Sequence, residues 1–146
     1  MSDHYLRFIP EDVDAELNMK ALQKICKHKM FKGKAQIFFT DKVLFADAGQ
    51  NFEKVQCPFC GENITDWWSQ SMGEAFSEKV GFGDLNATVP CCGRQTSLND
   101  LKYSFPQGFY RYMIEIMDGD HCSAQEIVLM LNKETSIKWR VIFTHY

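Results

Sequence analysis

The pattern of hydrophobic and polar residues near the start of the chain predicts a strand followed by a helix. Residues 5–9 are a short aromatic and β-branched run, which predicts a strand that ends at Pro10. A helix is predicted to follow, capped by Asp12 or Asp14. Its apolar face is formed by Leu17, Ala21, Leu22 and Ile25.

Two further strands are predicted after Gly33, over residues 35–40 and 43–46. Asp41 and Lys42 lie between them and predict a two-residue hairpin turn. Asp-Lys is a weaker turn signal than Asn-Gly, because neither residue favours the positive φ that such a turn requires as Gly does.

The last third of the chain repeats the order strand, helix, strand. Residues 109–117 predict a strand with Tyr110, Tyr112, Ile114 and Ile116 on one face and Arg111 and Glu115 on the other. Ser123 and Glu126 have the spacing of a capping box, which predicts the start of a helix. The buried stripe of that helix is Ala124, Ile127, Val128 and Leu131. Residues 137–144 alternate again and predict a closing strand.

The middle of the chain carries two cysteine clusters separated by a segment with its own amphipathic helix. This helix is predicted to start at Thr65 or Asp66, with an apolar side formed by Trp68, Met72, Ala75 and Phe76. The whole pattern predicts an α+β fold in which two strand-helix-strand units form a mainly antiparallel sheet, one version of which is ferredoxin-like. We expect a single domain over residues 1–146, with a zinc knuckle over residues 57–93 and a covering helix inserted into it.

Charge and hydropathy narrow the classes of function. The chain has 146 residues, with 16 basic against 19 acidic ones and a formal charge of -3. This balance disfavours a protein that binds the phosphate backbone of nucleic acids, although five lysines form a local basic cluster. These are Lys24, Lys27, Lys29, Lys32 and Lys34. No window approaches the ~20 apolar residues of a membrane span and no apolar leader follows Met1, so we expect a cytoplasmic protein with no membrane partner.

The cysteines supply the strongest motif. Cys57-Pro58-Phe59-Cys60-Gly61 has the two-residue gap that lets both thiolates of a tight turn point at one metal ion, and Pro90-Cys91-Cys92-Gly93 supplies two more thiols. Six cysteines can also form three disulfides, but a reducing compartment and the adjacency of two of them favour metal binding. The sequence therefore predicts a structural zinc site with Cys57, Cys60, Cys91 and Cys92 as ligands.

The second cluster is less regular than the first. If the two clusters are aligned on their Cys-Gly ends, Cys92 lies opposite Cys60, and Val89 stands where a first cysteine is expected. Cys91 must then supply the fourth ligand, and His121, Cys122 or a water would replace it if it cannot reach the metal. A site with three protein ligands would allow zinc-bound water to act in hydrolysis, as in nucleobase deaminases, with Glu62 or Glu74 nearby. No H-x-E element precedes the cysteines, which favours the structural site.

Two other features have a functional and a structural interpretation. His121 and Cys122 have the residue types of a base and a nucleophile, but adjacent side chains seldom point at each other, so an incidental loop cysteine is the favoured interpretation. His145 lies in a terminal strand that we expect to be pinned in the sheet, either as a binding group or as an edge residue. Aromatic residues in surplus over the needs of a core favour a protein interface.

Several short motifs resemble those of a group of small, uncharacterised bacterial zinc-knuckle proteins. The resemblance covers most of the chain. It is carried by Asn51-Phe52-Glu53, the C-P-x-C-G knuckle, Pro90-Cys91-Cys92-Gly93, Ser97-Leu98-Asn99-Asp100-Leu101, Phe105-Pro106-Gln107-Gly108-Phe109 and His145-Tyr146. It implies a bacterial cytoplasmic protein with a metal knuckle, and it implies no catalytic residues.

Three hypotheses of function follow. The first is a non-catalytic protein-binding module stabilised by structural zinc, in the manner of an immunity or antitoxin-like inhibitor whose partner is a toxin or defence component. The second is a nucleic-acid-binding zinc protein that uses the lysine cluster. The third is an enzyme centred on the zinc or on Cys122. The sequence leaves the oligomeric state open.

Overall fold

The structure is a computed structural model that describes residues 3–146 and has an α+β fold. The strands are β1 (His4–Pro10), β2 (Ala35–Ala46), β3 (Val55–Gln56), β4 (Phe76–Ser77), β5 (Gly81–Phe82), β6 (Asn86–Thr88), β7 (Gln95–Ser97), β8 (Lys102–Tyr103), β9 (Gly108–Met117) and β10 (Trp139–His145). The helices are α1 (Met19–Ile25), α2 (Thr65–Ala75) and α3 (Ala124–Thr135). Single 3-10 turns lie at Lys29–Phe31, Leu98–Asp100 and His121–Ser123.

The main sheet has six strands in the order β10-β1-β9-β2-β5-β4. Its four long strands are antiparallel to their neighbours, and only the short pairing of β5 with β2 is parallel. In chain order the long strands lie as fourth, first, third and second, with α1 in the first connection and α3 in the last, which is the arrangement of a ferredoxin-like sheet. The predicted α+β class with two strand-helix-strand units is thus confirmed.

Both α1 and α3 pack on one face of this sheet. Leu6 and Phe8 of β1, Ile114 and Ile116 of β9, and Trp139 of β10 are buried there. They contact Leu22 of α1 and the predicted stripe of α3, which consists of Ala124, Ile127, Val128 and Leu131. Burial of this kind contributes about 25 cal/mol per Å² of apolar surface, so the two helices are fixed mainly by this core.

The cysteine-bearing segment is inserted between β2 and β9. Ala46 at the end of β2 pairs with Gly108 at the start of β9, so residues 47–107 leave and rejoin the sheet at one place. The insertion has a second core, which includes Phe109 of β9 and against which Val43 and Phe45 of β2 pack. Its other buried members are Val55, Cys57, Ile64, Phe82, Val89, Leu98 and Leu101, with Trp68, Met72 and Ala75 of α2 packed against them.

The predicted hairpin at Asp41 and Lys42 is wrong. Residues 35–46 form one strand whose two halves both pair with β9, with Phe39 opposite Tyr112 and Leu44 opposite Tyr110. The register shifts between these pairs, which is the signature of a bulge. The residues of the weak turn signal therefore form an irregularity within a strand. The Lys42 ammonium there donates to the carbonyl of Glu78 at 2.7 Å.

Several predicted element ends also differ from the structure. Asn18 caps α1 by accepting from Ala21 N–H, whereas Asp12 accepts from Asp14 N–H in a separate turn. Ser123 stands at the start of α3 but makes no capping hydrogen bond with its side chain.

Two predicted apolar faces include a residue that lies elsewhere. Phe76 lies in β4 after α2 has ended, and Tyr110 packs with Met113 instead of joining Tyr112 in the helix-side core. Among the described residues, no helix is long and apolar enough to cross a membrane.

Candidate metal centre

The first cysteine knuckle is a tight turn that follows β3 directly. The Cys57 N–H donates to the carbonyl of Glu62 at 2.8 Å, and the Gly61 N–H donates to the carbonyl of Cys57 at 3.0 Å. Gly61 has a φ of 79°, in the left-handed region that glycine adopts without strain. The Phe59 N–H points at the Cys57 sulfur at 3.4 Å, so the turn directs a donor at the thiolate it presents.

The second cluster forms the same turn. The Val89 N–H donates to the carbonyl of Arg94 at 3.0 Å, and the Gly93 N–H donates to the carbonyl of Val89 at 3.0 Å. Gly93 has a φ of 72°, close to that of Gly61. The alignment made from sequence is therefore correct. Val89 occupies the first position of the turn, and its side chain is buried in the core of the insertion.

The two turns bring four sulfur atoms together. The Sγ atoms of Cys57, Cys60, Cys91 and Cys92 all lie within 4.8 Å of one another. Cys57 Sγ lies 3.8 Å from Cys92 Sγ, and Cys60 Sγ lies 3.3 Å from Cys91 Sγ. Cys91 therefore reaches the cluster from the position that Phe59 occupies in the first turn. Four thiols in this arrangement can hold one metal ion.

The cluster lies at the edge of the insertion core. Cys57 is buried, whereas Cys60, Cys91 and Cys92 are exposed. The Arg94 guanidinium lies 4.1 Å from the ring centroid of Phe59, which joins the two turns by a cation-π contact. This contact also places a positive charge in the turn that carries Cys91 and Cys92.

The thiols influence one another's ionisation. Burial raises the pKa of Cys57, but hydrogen bonds from the backbone N–H groups of Cys60 and Phe59 outweigh it and lower the pKa to about 6. Burial and hydrogen bonds with the Cys60 and Cys57 thiols raise the pKa of Cys91 to about 12. Four like charges at these distances repel one another, so the thiols ionise as a set only when a cation neutralises them.

The alternative ligands do not belong to this cluster. His121 and Cys122 form the 3-10 turn before α3, and the His121 ring packs against Phe143 of β10 at a centroid distance of 4.9 Å. Asp120 organises that turn by accepting from the Cys122 N–H at 2.9 Å. The four sulfurs are found together without either residue, so Cys91 needs no substitute.

Sequence reasoning missed a set of polar side chains that hold the insertion against the sheet. Asn99 is only 7% exposed, and the short turn that contains it is capped by Ser97, whose hydroxyl accepts from the Asn99 N–H at 3.2 Å. The Asn99 side chain instead donates to the carbonyl of Glu11 at 2.9 Å and accepts from the Phe109 N–H at 3.1 Å. It therefore bridges the residue after β1 to the start of β9.

Gln107 makes a second connection of the same kind. Its Oε1 accepts from the Ala48 N–H at 2.9 Å, and its carbonyl accepts from the Arg140 guanidinium at 2.7 Å. The two ends of the insertion are therefore tied to each other and to β10.

The two terminal residues lie in defined places. The Tyr146 N–H donates to the carbonyl of Asp3 at 2.9 Å, and its phenol accepts from Arg7 and donates to Asp47. The His145 ring stacks on His4 of the neighbouring strand with centroids 4.2 Å apart. Tyr146 thus holds its strand to Arg7 of β1 and to the first residue of the insertion.

The chain was compared with known proteins at three levels. No family model matches it, and neither a curated protein nor a solved structure shows significant similarity to it.

Proposed function

We propose that this chain is a non-catalytic, cytoplasmic protein-binding module whose inserted segment is stabilised by a structural zinc ion. The observation that carries the proposal is the convergence of Cys57, Cys60, Cys91 and Cys92 from two equivalent turns. Four thiolates saturate a tetrahedral ion and leave no position for a substrate or a reactive water.

The donor set and its spacing fit zinc. In a tetrahedral site with a zinc–sulfur distance of about 2.3 Å, sulfur atoms lie about 3.8 Å apart. Cys57 Sγ and Cys92 Sγ lie 3.8 Å apart in the structure, Cys60 Sγ and Cys91 Sγ lie 3.3 Å apart, and all four sulfur atoms lie within 4.8 Å of one another. Soft thiolates select zinc or iron over calcium and magnesium, so metal analysis of purified protein tests this part directly. We expect one zinc per chain, and an intense visible absorption would indicate iron instead.

A role in binding another protein is supported by the edge of the main sheet. Phe38 and Phe39 of β2 are 41% and 44% exposed. On its outer side, the described part of β2 pairs with β5 only at Val43, so no strand covers that edge next to the two phenyl rings. Open edges and exposed aromatic side chains are common elements of protein interfaces.

The specific role we propose is that of an immunity or antitoxin-like inhibitor in bacterial competition or phage conflict, with a toxin or defence component as partner. The small size of the chain and its acidic balance support an inhibitor of a basic protein. Binding to nucleic acid is the second candidate, because all six lysines between residues 20 and 34 are exposed.

Affinity capture tests these functions against each other. The tagged, zinc-loaded protein is incubated with lysate of its source cells, with and without nuclease, and bound proteins are identified by mass spectrometry. One stoichiometric partner that survives nuclease supports the binding module. Loss of every partner after nuclease transfers the assignment to nucleic acid. A variant with Cys57→Ser and Cys60→Ser is the control for dependence on the metal site, and Cys122→Ser is the matched control for loss of an unrelated thiol.

A further inference from the structure

The lysines of the chain are unevenly distributed. Residues 17–40 contain six lysines and His28 but no aspartate or glutamate. The rest of the chain therefore carries ten basic residues against all 19 acidic ones. One segment of an acidic protein is thus strongly basic, which is an electrostatic signature of a site for an anionic partner.

This basic stretch is α1 followed by the 3-10 turn at Lys29–Phe31. All six lysines are exposed, and within residues 3–146 none of them forms an ion pair with a carboxylate. The turn is rigid because Phe31 is buried in the helix-side core and His28 Nδ1 accepts from the Met30 N–H at 3.1 Å. The charges are therefore held on an ordered surface.

A groove of about 500 Å³ lies beside these lysines, between α1 and α3. Its apolar lining comes from Ala21 and Ile25 of α1 and Met130 of α3. Ile25 and Met130 also pack partly buried against the core, so the apolar surface of the groove is anchored. Its polar lining is formed by Lys24, Lys27, His28 and Glu134.

We propose that this groove binds an acidic, amphipathic segment of a partner protein. Apolar side chains of the segment contact Ile25 and Met130, while its carboxylates pair with Lys24 and Lys27. This mode is that of a helix in a groove, in which apolar anchors supply affinity and flanking charges supply orientation. The inference rests on the proposed function as a protein-binding module, and it adds to the β2 edge a second surface that takes an acidic segment of the partner.

The lining favours a protein segment over nucleic acid. The phosphates of a nucleic acid gain binding free energy from lysines but not from an apolar surface. The bases of a single strand bind by stacking on aromatic rings. The residues that line the groove include no phenylalanine, tyrosine or tryptophan. The acidic remainder of the chain also disfavours wrapping of a long polyanion around the protein.

The test uses the full-length, zinc-loaded protein and three fluorescent probes in anisotropy titrations. The first probe is a helical peptide of about four turns with leucines at positions i, i+3, i+4 and i+7 and mostly glutamates elsewhere. The second has the same charge but serine in place of leucine. The third is a DNA duplex of similar length. We expect the first peptide to bind at least about tenfold more tightly than the other two.

Matched variants locate the binding. Lys24→Glu together with Lys27→Glu should weaken binding of the first peptide by at least about tenfold. Lys79→Glu together with Lys102→Glu changes the charge equally on the insertion and should have little effect. Met130→Gln tests the apolar surface, and its thermal unfolding is compared with wild type so that loss of fold is not mistaken for loss of the site.

Four results would overturn the proposal: equal binding of the serine peptide, tighter binding of DNA, equal losses in the two lysine pairs, or no binding of the first peptide. A salt-sensitive dimer that Lys24→Glu with Lys27→Glu abolishes would also overturn it, because the occupant would then be a second copy of the chain. The affinity capture separates this inference from the proposed function. A nuclease-resistant partner retained by that lysine variant would refute the groove and keep the binding module.

Discussion

Val89 occupies in the second turn the position that Cys57 occupies in the first. Both residues donate their N–H to a carbonyl five residues ahead, and both accept from the glycine N–H four residues ahead. Both side chains are buried in the core of the insertion. One regular ligand position is thus used for packing, and Cys91 supplies the sulfur from two positions further along.

This equivalence predicts a rearranged metal site. Cys91→Ser alone should lower zinc affinity by at least about tenfold, because it leaves three thiolates. Adding Val89→Cys to Cys91→Ser should recover most of the affinity, since the new thiol stands where Cys57 stands in the first turn. Competition with a chromophoric zinc chelator measures both variants. Failure of the second substitution to restore binding, with the fold intact by circular dichroism, would contradict the equivalence.

Acid should release the metal, and the segment should unfold with it. Thiols bind zinc only when they are deprotonated, so protons compete with the ion and affinity falls as pH falls. We expect zinc release on titration from pH 7.5 towards about pH 5 to coincide with loss of structure around α2. The fluorescence of Trp67 and Trp68, both on α2, reports that change, and Trp139 in the main sheet is removed as Trp139→Phe to isolate the signal.

The same titration has a control in the long strands. Hydrogen exchange of β1 and β9 should change much less than exchange in residues 57–93, because the helix-side core contains no metal ligand. If the whole chain unfolded together at the pH of zinc release, the two cores would have to be one cooperative unit.

Alkaline pH should destabilise the protein through Tyr103. Burial raises the pKa of this phenol well above its usual 10.0. A folded-state pKa above the unfolded one gives stability that is fully present below about pH 10 and is lost as pH rises further, because only the unfolded chain then releases the proton. Urea unfolding between pH 8 and pH 11 measures this loss.

Tyr103→Phe should reduce the rate at which the free energy of unfolding falls with rising alkaline pH. It should also lower stability at neutral pH. The phenol donates to the carbonyl of Leu98 at 2.7 Å and accepts from the Trp68 indole at 3.1 Å, so its removal should cost about 1–3 kcal/mol. Tyr146→Phe is the comparison, because burial raises the pKa of that more exposed phenol to a smaller extent. If the free energy of unfolding fell equally with alkaline pH in wild type and in Tyr103→Phe, the role of Tyr103 would be refuted.

Gly49 should tolerate no side chain. Its φ is 61°, and a Cβ there would overlap the carbonyl oxygen of His145, which also accepts from the Gln50 N–H at 2.7 Å. Gly33 has a φ of 70° but no atom within 4 Å of the equivalent Cβ, so it isolates the backbone cost. We expect Gly33→Ala to lose about 1–2 kcal/mol and Gly49→Ala clearly more. If urea unfolding showed equal losses of unfolding free energy in the two variants, the close contact with β10 would make no contribution to stability.

Local patterns predicted the parts of this molecule that local chemistry determines. Two strand-helix-strand units, the buried stripe of α3 and the four clustered cysteines follow from spacing alone. Long-range register could not be predicted in this way. The bulge in β2 exists because Phe39 and Leu44 both find partners on β9, and the turn signal at Asp41 and Lys42 contains no information about that strand.

The cap of α1 and the role of the bridging residues could not be predicted from the sequence for a related reason. Several polar residues precede α1, and the helix starts after Asn18 rather than near Asp12, with Leu22 packed in the helix-side core. Asn99 has partners at Glu11 and Phe109, one of them 88 residues away, so its sequence neighbours contain no information about its role. Side-chain hydrogen bonds across the fold become visible only when the segments are placed together.

The order of strands has a consequence for synthesis of the chain. β1 pairs with β9 and β10, so it has no partner strand during synthesis until residues 108–145 follow. The four clustered cysteines emerge before either partner strand does. The inserted segment can therefore bind a metal ion while β1 and β2 are still unpaired, and such a metal-bound unit would become ordered before the main sheet does.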